Sequence, residues 1–61
     1  MAKKERFIKI YSSLPLGVRK EVVLVIEEYG PITWDVAYLE IVSDTKLSKT
    51  ILEKLEKLEI I

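Results

Sequence analysis

Glu21-Val22-Val23-Leu24-Val25-Ile26-Glu27-Glu28-Tyr29-Gly30-Pro31-Ile32-Thr33 is the stretch on which the fold turns. Its first half is a β-branched run, and on propensity alone it reads as a strand. Such a strand is apolar on both faces, and a chain of 61 residues has little structure with which to cover both. A helix removes that difficulty. On a helical wheel Val18, Val22, Val25, Ile26 and Tyr29 share one face, while Lys20, Glu21, Glu27 and Glu28 take the other. Only Leu24 is misplaced. The spacing predicts a helix over residues 14–29, opened by Pro15, capped by Gly30 and stopped by Pro31. The alternative is a hairpin that pairs residues 21–26 with 32–34 across a loop at 28–30.

Downstream the signals are plainer. Thr33 is a good N-cap, and Asp35 in the first turn suits the helix dipole. A helix is predicted over residues 34–42, with Trp34, Ala37, Tyr38 and Ile41 on one face and Val36 and Leu39 elsewhere. Trp34 and Tyr38, one turn apart, read first as core and second as an exposed anchor for a protein partner. Ser43-Asp44-Thr45 is a polar turn in which Asp44 or Thr45 caps a last helix over residues 46–59. Leu47, Ile51, Leu55 and Leu58 form its inner stripe, with Leu52 beside it. Lys46, Lys49, Glu53 and Glu56 point away.

Upstream, Phe7, Ile10, Tyr11 and Leu14 have the i, i+3, i+4, i+7 spacing of a helix face. A helix over residues 3–12 is predicted, ended by Ser12, Ser13 and Pro15. The fold expected is therefore all-α: a bundle of three to four helices containing a helix-turn-helix and no wing. The alternative is an α+β fold with a short hairpin at 21–34. Residues 1–61 form a single domain with a basic N-terminal arm or helix.

Hydrophobic residues make up 49% of the chain, too many for disorder. So small a domain leaves apolar surface uncovered, and a homodimer is expected from that scaling. Cys and His are absent, which excludes disulfides and the common zinc sites. Asn and Gln are absent too, and Lys and Glu dominate the charged set, a bias found in hyperthermophile proteins. No apolar run approaches the ~18–20 residues that span a membrane, and no signal peptide is evident. A soluble, cytoplasmic protein from a thermophile is expected.

The net charge is zero, but the charges are segregated. Residues 1–20 hold six basic side chains against Glu5 alone, a net +5. Residues 21–45 hold six acidic ones and no basic one, and residues 46–61 hold four lysines against three glutamates. The basic start suits phosphate or an acidic partner.

Catalytic chemistry has little to work with. No His or Cys is available as base or nucleophile, and Ser12, Ser13, Ser43 and Ser48 lack a partner base. Glycines occur only at 17 and 30, so no phosphate-cradling loop is present. Asp35, Glu40 and Asp44 read as surface charge rather than as metal ligands. A non-enzyme with no cofactor is expected.

From Arg19 onward the chain resembles the small winged-helix and helix-turn-helix regulators. The likeness is carried by Glu27 through Gly30-Pro31, Ile32-Thr33, the helix over 34–42, the turn at 43–45, and the leucine-spaced end through Leu52, Leu55, Leu58 and Ile60-Ile61. It covers about two-thirds of the chain. The chain departs from the pattern at the turn, which has no Gly, and at Ala37, which has Val36 before it and Tyr38 after. The resemblance implies DNA binding by the last helix. Its basic and polar leading turn, Lys46, Ser48, Lys49 and Thr50, would face bases and phosphates. Lys3, Lys4, Arg6 and Lys9 would act as a basic arm. Glu53 and Glu56 oppose this, since they share the outward side. The second reading is a protein-interaction module that docks apolar helices on a partner in a nucleic-acid or toxin–antitoxin complex. DNA binding needs contiguous positive charge. Docking needs an exposed apolar patch of several hundred Å², on the order of the size that marks interaction sites.

Overall fold

The computed structural model describes residues 3–61. In chain order it has α1 (Lys3–Ser13), one 3-10 turn (Val18–Lys20), β1 (Val22–Ile26), β2 (Gly30–Thr33), α2 (Trp34–Val42) and α3 (Lys46–Lys57). β1 and β2 pair antiparallel. The architecture is α+β, and the expected all-α bundle is overturned by this hairpin. The helix expected over residues 14–29 does not form.

The reason lies in β1. Four of its five residues are β-branched, and in a helix they would cost roughly 2 kcal/mol in propensity relative to alanine. Cover on both faces is the need of a central strand, and in a two-stranded sheet β1 is not one. Here only one face is covered. Leu24, Ile26 and Ile32 point into the core, whereas Val22 and Val25 are 53% and 62% exposed. A bulge between Val22 and Leu24 shifts the register and restores the inward alternation.

The turn uses the residues that had suggested a helix end. Tyr29 N–H donates to the Ile26 carbonyl at 2.9 Å, closing a four-residue turn. Gly30 follows at φ +84°, a left-handed position that glycine takes without steric cost. Left-handed glycine and a following proline serve a hairpin as well as a helix cap.

The helices match their sequence signals more closely. Thr33 Oγ1 accepts from Val36 N–H (3.1 Å) and Thr45 Oγ1 from Ser48 N–H (3.2 Å), so each threonine caps its helix. α2 and α3 both end in Schellman geometry. Thr45 N–H reaches the Glu40 carbonyl with Asp44 at φ 55°, and Ile60 N–H reaches the Leu55 carbonyl with Glu59 at φ 61°. α3 stops at Lys57, so Leu58 leaves the inner stripe and is 59% exposed.

One core unites all elements except the 3-10 turn: Phe7, Leu24, Ile26, Ile32, Ala37, Ile41, Ile51 and Leu55. Phe7 is fully buried, so α1 is a packed helix rather than a loose arm. Trp34 stacks on Phe7 at 5.8 Å between ring centroids, and Tyr38 on Tyr11 at 4.3 Å. Both aromatics are half-buried against the core, which is the first of the two roles expected of them.

Candidate nucleic-acid interface

α3 is the most polarised surface of the chain. Its buried residues, Ser48, Ile51 and Leu55, fix which side faces inward. At 3.6 residues per turn, Lys46, Thr50, Lys54 and Lys57 then fall within an arc of about 80° on one outward flank. Lys49, Glu53 and Glu56 fall on the other. The three lysines of the first flank are exposed and Thr50 is half-buried.

Contacts confirm the two directions. Lys54 and Lys57 stand over β1 beside Leu24, Val25 and Leu58. Glu56 instead meets Lys3 of α1 at 3.0 Å. The hairpin thus flanks the basic side of α3 and α1 flanks the acidic side.

The sequence-derived site residues divide accordingly. Lys46 and Lys49 are exposed at the start of α3, and Thr50 lies one turn on. Ser48 is buried, at 3% exposure, and its hydroxyl turns back to donate to the Thr45 carbonyl. It fastens the helix start rather than facing outward. Lys3 and Lys4 are half-exposed and engaged with acids, Lys3 with Glu56 and Lys4 with Asp44 at 3.7 Å. Arg6 and Lys9 are exposed on α1. The α1 cations and the α3 stripe therefore do not merge into one continuous set. Lys54 and Lys57 were missed, although the i, i+4, i+8, i+11 spacing from Lys46 was readable.

The acidic trio is dispersed among separate partners. Asp35 accepts the Tyr11 hydroxyl, Glu40 accepts the Thr45 hydroxyl, and Asp44 meets Lys4. Among the described residues no group of three or more potential ligands is placed to hold a metal ion. The hydrogen bond to Asp35 raises the Tyr11 pKa above its ordinary value, with burial and the Asp35 charge acting the same way. Arg19, whose guanidinium lies 4.5 Å over the Tyr11 ring, pulls it down.

Apolar side chains on the outside are the other feature. Val22, Val25 and Tyr29 are exposed on the hairpin, Leu39 on α2 and Leu58 after α3. No described helix is long and apolar enough to cross a membrane. No protein family, curated protein or solved structure matches the chain.

Proposed function

We propose that this is a small, non-catalytic DNA-binding protein that lays the basic flank of α3 against a duplex in the cytoplasm. The observation that carries the reading is the stripe Lys46, Thr50, Lys54 and Lys57, with Glu53 at its edge beside Lys46 and Glu56 turned away and held by Lys3. Glutamates on the same outward face were the main objection to a DNA-facing helix. Turning the helix by a fraction of a turn takes Glu56 off the phosphate side and leaves Glu53 at its edge. Lys46 and Thr50 then lead, Lys54 and Lys57 extend the contact, and Lys49 stays on the flank of the glutamates. Ser48 acts through the helix start that it fastens. Arg6 and Lys9 add positive charge on α1, and Lys3 and Lys4 blunt nearby acids.

The second reading, a protein-docking module, is favoured by the exposed Val22, Val25 and Tyr29 on the hairpin.

A fluorescence titration of a labelled duplex at several salt concentrations tests the proposal. Each lysine that neutralises a phosphate adds about 0.9 to the slope of log affinity against log salt. Lys46→Ala should weaken binding to every sequence and flatten the slope by roughly 1, while Lys49→Ala should leave it nearly unchanged. Lys54→Ala/Lys57→Ala should flatten it by roughly 2. Absence of wild-type binding tighter than about 10⁻⁴ M at low salt, the weak end of non-specific binding, overturns the proposal.

A further inference from the structure

An α-helix is about 10–12 Å across and the major groove of DNA about 12 Å wide, so a helix seated there meets a phosphate backbone on each flank. Both flanks then need positive charge, and the edge between them needs side chains that pair with bases. α3 supplies only one of the two basic flanks and few such side chains.

On one flank stand Lys46, Lys54 and Lys57. On the other, Lys49 is joined by Glu56 and, at the outer edge, by Glu53. Lys3 reaches that flank from α1 and meets Glu56 at 3.0 Å. Two cations there face two acids, so no positive charge is left over for a second row of phosphates. The basic flank has a border on its far side as well. Glu27 and Glu28, at the hairpin turn, line a hollow together with Thr50 and Lys54. What remains is a single row of lysines about 16 Å long.

Base-pairing side chains are scarce on the same row. The contacts that identify a base most sharply are arginine or lysine on guanine and asparagine or glutamine on adenine. The chain has no Asn and no Gln. Its two arginines lie elsewhere, Arg6 on α1 and Arg19 over the Tyr11 ring. The lysines are flexible point charges that meet a phosphate as readily as a guanine. Thr50 is half-buried, which leaves exposed Glu53 as the side chain beside the row able to single out a base, by accepting from cytosine.

Stacking offers no substitute. Phe7, Tyr11, Trp34 and Tyr38 are stacked on one another, and Tyr29 alone among the aromatic side chains is exposed. Single-strand sites stack successive bases on aromatic rings, so the row suits a duplex.

We infer that α3, in the DNA contact proposed above on which this rests, follows the phosphates of one strand from outside the groove and binds duplex DNA without regard to its sequence.

Competition titrations at one salt concentration compare A·T-rich, G·C-rich and mixed duplexes of equal length, and a selection from a random-sequence pool looks for a motif. A site that reads bases loses roughly 5- to 150-fold for each wrong base pair, whereas here all duplexes should bind within about threefold of one another. The selection should return no motif, and a single strand of the same length should bind more weakly. Glu53→Ala removes an acid beside the row, so it should tighten binding to every duplex alike, by about twofold at low salt. A preference of about tenfold or more, an enriched motif, or a tighter single strand overturns the inference and leaves the DNA contact standing. A Glu53→Ala variant that loses affinity only where one position is cytosine does the same. Failure of every duplex to bind overturns both.

Discussion

The Tyr11 hydroxyl donates to the Asp35 carboxylate across twenty-four residues of chain, tying α1 to the first turn of α2. The ring beneath that hydroxyl stacks on Tyr38, so one side chain carries both a polar and an aromatic link. Tyr11→Phe keeps the stack and removes the bond, and should destabilise the fold at neutral pH. The pH dependence has a definite sign. The folded state holds the Tyr11 proton more tightly than the unfolded chain, whose pKa is near 10.0. The stability this confers is complete below that value and is lost as pH rises through the folded pKa. Wild type and Tyr11→Phe should therefore converge in stability at strongly alkaline pH. Urea unfolding at neutral and alkaline pH measures the gap, and a gap that widens with pH would contradict the assignment.

Two left-handed positions carry opposite expectations. Gly30 at φ +84° has open space where a Cβ would stand, so Gly30→Ala suffers from backbone strain alone, roughly 1–2 kcal/mol. Glu59 sits at φ 61° without that freedom. Glu59→Gly should relieve the strain and stabilise the C-terminal cap by about 1 kcal/mol. Thermal melts of the two variants should move in opposite directions from the wild type.

Leu55 and Leu58 belong to the same leucine spacing but differ in burial, at 0% and 59% exposed. Leu55→Ala should cost roughly 2–5 kcal/mol, enough to unfold most molecules of so small a domain. Leu58→Ala should fall within about 0.5 kcal/mol of the wild type, as surface substitutions do. Equal losses in chemical denaturation would mean that α3 continues past Lys57.

Much of the helical part was legible in the sequence. Thr33, Thr45 and the apolar spacing around Ala37, Ile41, Ile51 and Leu55 fixed α2 and α3 to within a turn, and Phe7 fixed the inner side of α1. The hairpin was legible only as the alternative to a helix, for a physical reason. Gly30-Pro31 is equally a helix end and a hairpin corner, and the choice was made by a burial rule that exposed Val22 and Val25 do not obey. At the candidate interface, Lys46, Lys49 and Thr50 lie on the outside of α3 as their spacing indicates. Ser48 does not, because a hydroxyl three residues after a capping threonine finds its partner inside the turn. Lys3 and Lys4 could not be placed by counting charges, since the acids they meet, Glu56 and Asp44, lie across the fold rather than beside them.

The α+β fold turns on residues 22–26, and backbone NMR distinguishes strand from helix there directly. Val25 stands opposite Pro31, which has no N–H to donate, so this is a pair of the non-bonded kind, in which the two α-carbons approach to about 4.5 Å. A strong Hα–Hα contact between Val25 and Pro31 is therefore expected, with slow amide exchange at Leu24 and Ile26. Contacts from each α-proton to the amide three residues on, running through Val22, Val23, Leu24 and Val25, would show a helix and contradict the hairpin.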